Sequence, residues 1–143
     1  MPDDVVGDPT AVRLCGAFPE VIYEDPAAAV GWLPEAFGLT AGRVVRSIGG
    51  RVTFAEMRAG VGTVLLRAPE RPGECSPRFL GGSTQQLYVP VDDPDAHHRR
   101  ARAAGAEIVL EPTDTPFGAR MYSAHDLEGH LWTFGTYQVG AED

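Results

Sequence analysis

Cysteine is scarce in this chain. Only Cys15 and Cys75 occur, too few and too far apart for a disulfide framework, and no Cys-x-x-Cys is present to hold zinc or run redox chemistry. Two unpaired thiols are expected. Long apolar runs are also lacking. None reaches the length of a membrane span, and the acidic start Met1-Pro2-Asp3-Asp4 has no apolar core behind it of the kind a secretory signal needs. A cytoplasmic protein without membrane contact is the expectation. Positive charge is in the minority: 12 Lys and Arg stand against 20 Asp and Glu, a formal net charge of −8. A phosphate backbone is neutralised by clustered basic residues, so nucleic acid is excluded as a partner. Nor is there a nucleophile elbow, a phosphate loop or a paired-carboxylate motif.

What the sequence does hold is one unit written twice. Asp93-Pro94 opens a helix that Gly105 closes. The aspartate can accept hydrogen bonds from the free amides of the first turn, and proline has no amide to lose at the first helical position. Before it, Gln86 to Val91 has strand composition; after it come Ala106 to Leu110, Arg120 to Ala124, and, past a turn at Leu127-Glu128-Gly129-His130, an aromatic strand ending at Phe134. The same order appears earlier. Asp25-Pro26 begins a helix closed by Gly38, followed by strand-like runs at Arg43 to Ile48, Arg51 to Arg58 and Thr63 to Ala68. The spacing from Asp-Pro to Asp-Pro nearly equals that from glycine to glycine, so the chain reads as a tandem duplication. Pro34 interrupts the first helix and predicts a kink or an early end there, because it removes an intrahelical hydrogen bond.

At 143 residues the chain has the size of a single domain. The expected organisation is an arm over 1–16, either loose or forming an edge strand around Ala11 to Leu14, one domain over 17–138, and a tail over 139–143. The domain divides into module one (17–69), a Pro- and Gly-rich linker (70–83) that is either mobile or functional, and module two (84–138). Phe79 and Leu80 in that linker are candidates to cover a pocket or a partner subunit. Glu111 to Gly118 reads as a second loop.

Trp32-Leu33 through Ala36-Phe37-Gly38, Phe54-Ala55-Glu56, Arg102 to Ala106, and Asp126 to Phe134, set in paired modules, resemble the vicinal oxygen chelate superfamily of glyoxalases, bleomycin-resistance proteins and extradiol dioxygenases. The likeness is greatest to its small PhnB-type members. This resemblance implies an α+β fold, two tandem βαβββ modules forming a curved mixed-sheet cup, and a homodimer that completes the cup across a two-fold axis. In the enzymes of the family it also implies a divalent metal on the cup floor, ligated from the first and last strand of each module. Carried onto this sequence, those positions fall near Phe18, on Leu65 or Leu66, at Gln86 and at Thr133. Phenylalanine and leucine supply no donor atom, and a catalytic ion needs about three protein ligands. No metal and no other cofactor is expected.

The remaining candidates follow from strand alternation. Gln86 and Tyr88 share one face, as do Phe54, Glu56 and Arg58, and as do Arg120 and Tyr122. With Phe18 and Thr133 they make an expected ligand site of aromatic surface for stacking and Gln, Glu and Arg for orientation. Trp132 and Phe134, out of phase with Thr133, are expected beneath the helices. Adjacent His97 and His98 point about 100° apart on a helix and are expected on its solvated surface. His130 reads first as a group that stabilises its turn, and His125 flanks the same turn. The expected function is non-enzymatic binding of a small aromatic or cationic molecule, with drug sequestration as its biological use. The rivals are a metal-dependent lyase, isomerase or dioxygenase of the same superfamily, and a metal-free enzyme with Glu56 or His130 as acid or base.

Overall fold

Both Asp-Pro pairs start helices. Asp25 accepts a hydrogen bond from the Ala28 amide and Asp93 from the Ala96 amide, each at 3.1 Å. Gly38 ends the first helix at φ 79°, and Gly105 follows the second at φ 93°, left-handed conformations in which a side chain would be strained. The structure is a computed structural model and describes residues 10–141. The chain order is β1 (Glu20–Ile22), α1 (Pro26–Phe37), β2 (Thr40–Arg46), β3 (Val52–Ala59), β4 (Gly62–Arg67), α2 (Pro77–Leu80), β5 (Gln86–Pro90), α3 (Pro94–Ala103), β6 (Glu107–Asp114), β7 (Arg120–His125) and β8 (Leu131–Gly135). Two four-stranded sheets result, β1-β4-β3-β2 and β5-β8-β7-β6. In each, the first strand lies parallel to the last and the other neighbours are antiparallel. The α+β class and the βαβββ repeat match the expectation.

Period-2 alternation gives every strand a helix-side face and an open face. Ala55 and Met57 of β3, Val64 and Leu66 of β4, Tyr122 and Ala124 of β7, and Trp132 and Phe134 of β8 are buried on the helix side. They meet Leu33, Ala36 and Phe37 of α1 and Ala101 of α3 in one continuous core. Phe37 joins the modules: its ring centroid is 5.4 Å from that of Trp132 and 4.7 Å from that of Phe134. Burying each such side chain stabilises the fold by roughly 1.5–3 kcal/mol. The open faces, carrying the opposite parity, are left for other uses.

A polar seam complements that core. The carboxylate of Asp126, in the turn after β7, accepts from Tyr23 Oη at 2.6 Å and Trp132 Nε1 at 3.0 Å through one oxygen, and from the backbone amides of Glu128 and His130, both at 3.0 Å, through the other. Glu128 accepts from the amides of Glu24 and Asp25 at 2.6 and 2.8 Å. His130 Nε2 lies 2.6 Å from the Ile22 carbonyl oxygen. These bonds tie the entry to α1 to the last turn of module two.

Several expectations are corrected. Helix α1 does not end at Pro34; it runs on to Phe37, because burial of Leu33, Ala36 and Phe37 outweighs one lost hydrogen bond. No strand forms at Ala11 to Leu14, and residues 1–9 of the expected arm lie outside the described residues. The segment after Leu110 is not a loop at its start: β6 continues to Asp114, accommodating Pro112 as the edge strand of its sheet with a register shift between Leu110 and Thr113. The linker is pinned rather than loose. Arg67 grips Glu74 with two nitrogens at 2.9 Å, holding that carboxyl well below the usual carboxylate range, and the Arg78 amide donates to Glu128 O at 2.9 Å. Cys15 and Cys75 carry free thiols.

His97 is also corrected. It turns inward under α3, with Nε2 donating to the Phe37 carbonyl at 2.8 Å, Nδ1 accepting from the Tyr122 hydroxyl, and its ring 4.2 Å from that of Phe134. A helical wheel cannot show that Phe37 of the other module brings a carbonyl to this spot. His98 packs edge-on to Tyr122, and its Nε2 lies 2.9 Å from Glu111 but out of hydrogen-bond alignment. Burial pushes the His97 pKa down. The folded chain therefore binds fewer protons than the unfolded chain between that lowered value and the ordinary histidine range near 6.5, and stability falls as pH drops through that window. Urea unfolding is expected to show a lower midpoint at pH 5 than at pH 7.5, with the difference reduced in His97→Gln. An unchanged pH dependence in the variant would assign the effect to other groups.

Candidate functional site

The open face of the second sheet holds a cavity of about 330 Å³. It is lined by Gln86 and Tyr88 of β5, Arg120 and Met121 of β7, Thr133 of β8, and by Phe117, Ala119 and Tyr137 from the flanking segments. Pairing explains the floor: β5 and β8 run parallel with Tyr88 opposite Thr133, and Ser123 of β7 faces Thr133 from the other side. Thr133 Oγ1 donates to Gln86 Oε1 at 2.8 Å and lies 2.7 Å from Ser123 Oγ. The walls are aromatic. Tyr88 and Tyr137 have ring centroids 6.0 Å apart, and Phe117 meets Tyr137 edge-on at 6.3 Å.

The ring of Tyr88 is held by its own hydroxyl, which donates to the Tyr137 carbonyl at 2.6 Å. Glycine at position 135 makes room for it. A Cβ there would stand 3.0 Å from Arg120 O and Met121 Cβ and 3.1 Å from Tyr88 Oη. Partial burial raises the Tyr88 pKa, so this phenol stays protonated and serves as a donor.

The eight expected ligand residues do not converge. Gln86, Tyr88 and Thr133 line the cavity together. Arg120 borders it, yet its guanidinium turns away to Asp95, at 2.8 and 3.0 Å, and to Asp114 at 3.0 Å. Tyr122 is fully buried on the helix side against His97 and Phe134, so its assignment to the cup face is wrong. Alternation pairs Arg120 with Tyr122 as expected, but the face they share is the core face, and Met121 takes the cavity side. Phe54 and Glu56 sit half-buried on the open face of the first sheet, away from the cavity, with Ala55 and Met57 opposite them in the core. Phe18 precedes β1 and is exposed. It lines a different groove of about 460 Å³ that runs past Val61, Thr63 and Tyr88 to Val139. His130 is absent from the cavity, and its ring lies tilted against Tyr23 with centroids 4.7 Å apart. His125 pairs with Glu107 at 2.7 Å on the surface. Phe117, Met121, Gly135 and Tyr137 were missed. Only the Pro116-Phe117-Gly118 turn, an aromatic in a loop, hinted at any of them.

The metal positions implied by the resemblance do not fit an ion. Phe18 and Leu65 offer no donor, Leu66 is buried in the core, and Gln86 and Thr133 are bonded to each other. Among the described residues no group of three or more His, Cys, Asp or Glu side chains is arranged to hold a metal ion.

Comparison with known proteins gives a consistent result. Residues 17–134 match the family model described as Glyoxalase/Bleomycin resistance protein/Dioxygenase superfamily. An uncharacterized Mycobacterium tuberculosis protein, Rv0887c, is 31% identical over 134 residues, which cover 90% of this chain and 79% of that one. Among solved structures, TioX from Micromonospora sp. ML1 is 38% identical, with a TM-score of 0.69 over 89% of this chain and 99% of TioX. The bleomycin-binding protein of Streptomyces verticillus, solved with copper(II)-bleomycin, shares the fold at 20% identity, with a TM-score of 0.63 over 90% of this chain and all of that one.

Proposed function

The chain belongs to the glyoxalase/bleomycin resistance protein/dioxygenase superfamily, and from that premise we propose that it holds a small aromatic, drug-like molecule in the cavity of module two without transforming it. One observation carries this reading: two of the positions where a metalloenzyme of this family needs ligands are neutral side chains of the cavity lining, Gln86 and Thr133, hydrogen-bonded to each other and backed by the buried Ser123. The walls add Tyr88, Phe117 and Tyr137, whose faces suit stacking. Nothing there is placed to act as a nucleophile or base. Tyr88 is a donor, Arg120 is engaged elsewhere, and Glu56 and His130 lie outside the cavity. Sequestration then lowers the free concentration of the compound by mass action. The bleomycin-binding protein is the reason to look among drug-like ligands. Binding needs no cofactor, and the free thiols suit a reducing, cytoplasmic setting.

The active form in this proposal is a homodimer. Among the described residues the main elements packed on β3 are its neighbours β2 and β4 and, on the core face, α1, and Phe117 and Tyr137 are 69% and 53% exposed; a second copy would cover both the open face with Phe54 and Glu56 and these rings. Light scattering is expected to give about twice the chain's 15.3 kDa, and a monomer at micromolar concentration would refute the dimer. For the function itself, equilibrium dialysis against a panel of aromatic drugs, followed by mass spectrometry, is expected to recover bound compound unchanged. Product accumulating with time would overturn the binding reading.

A further inference from the structure

Gln86 and Thr133 of the cavity lining and the buried Ser123 behind them form a chain of hydrogen bonds with a direction. A hydroxyl has one proton. Thr133 commits its proton to Gln86 Oε1, so the contact with Ser123 must be Ser123 donating to Thr133. Suppose the order were reversed, with the Gln86 amide nitrogen donating to Thr133 and Thr133 to Ser123. The Ser123 proton would then have no acceptor among the described residues, and Ser123 is only 7% exposed; an orphaned buried donor costs roughly 1–3 kcal/mol. The fold therefore holds the forward order.

Its outer end is the Gln86 carboxamide nitrogen. That atom makes no hydrogen bond to any described residue, and Gln86 lines the cavity beside the Tyr88 ring. Both of its protons are free for an occupant, and each bond along the chain polarises the next. Resting on the binding reading above, we propose that this nitrogen selects the ligand: the occupant is a planar aromatic with an uncharged acceptor at its edge, a ring nitrogen or a carbonyl oxygen, placed against Gln86 while its face stacks on Tyr88. An aromatic without an acceptor covers the same surface but strips water from the amide protons and returns nothing, which is how a polar site rejects an apolar isostere. Thr133 and Ser123 act as positioning residues that fix which end of the amide points outward.

Three probes of one shape test this: isoquinoline, naphthalene and the N-methylisoquinolinium cation, titrated into the full chain at pH 7.5, where isoquinoline is neutral. Isoquinoline is expected to bind about fivefold more tightly than naphthalene, the effect of one net hydrogen bond, even though naphthalene leaves water more readily. The cation has no acceptor and is expected to bind no better than naphthalene. In Gln86→Leu the ratio of isoquinoline to naphthalene affinity is expected to fall to about one, whatever change the two share; in Gln86→Glu, which keeps the shape and loses the donor, the ratio falls as well. Equal binding of isoquinoline and naphthalene by the unmodified chain overturns the selection and leaves the aromatic-binding reading standing. So does tighter binding of the cation, which would assign recognition to the aromatic faces rather than to the Gln86 amide. Failure of all three to bind overturns both.

Discussion

Replacing Asp126 with alanine is expected to lower the free energy of unfolding by about 3–5 kcal/mol, the range seen when a buried charged acceptor is removed from satisfied donors. Four donors depend on this carboxylate: Tyr23 Oη, Trp132 Nε1 and the amides of Glu128 and His130. Asp126 is 4% exposed, so water cannot take its place without opening the turn. The loss reaches both modules, since Tyr23 belongs to the entry of α1 and Trp132 to β8. Tyr23→Phe removes one donor and leaves the other three in place, and its cost is expected to be about 1.5–3 kcal/mol. Urea unfolding of the two variants checks the ranking. A loss below about 1 kcal/mol in Asp126→Ala would mean that this carboxylate contributes little to joining the modules.

Tyr88→Ala is expected to weaken isoquinoline binding by about 30-fold, the effect of losing an aromatic anchor at the centre of a binding surface. The ring is the one aromatic of the cavity that springs from a strand, and it is fixed at both ends, by β5 and by its bond to the Tyr137 carbonyl. Tyr88→Phe keeps the stacking face and releases only the tether, so a loss of a few-fold is expected. Fluorescence or calorimetric titration distinguishes the two. Equal losses in both variants would assign the effect to the hydroxyl rather than to stacking.

The parts legible in the sequence are those set by local chemistry. Asp25-Pro26 and Asp93-Pro94 announce helix starts because a cap and a missing amide act within one turn, and Gly38 and Gly105 announce the ends because a left-handed residue is a local demand. Alternation correctly separated Trp132 and Phe134 from Thr133. It failed for Arg120 and Tyr122, because parity says which residues share a face and not which face meets the helices. That choice is made by α1 and α3 packing across the modules, a contact far apart in sequence. The same contact hides His97, whose acceptor at Phe37 lies 60 residues away. Phe117 and Tyr137 lie outside the strands and join the cavity through loop geometry that no period encodes.

The ligand positions came from the family resemblance, carried onto the first and last strand of each module. This chain carries Phe18, Leu65 or Leu66, Gln86 and Thr133 there, of which Gln86 and Thr133 line the cavity, and the proposed account is that they serve an aromatic occupant rather than an ion. The dissociation constant for isoquinoline, measured before and after exhaustive dialysis against EDTA, tests that account most directly. An unchanged value is the predicted result. Binding that collapses on metal removal and returns with a divalent ion would contradict it.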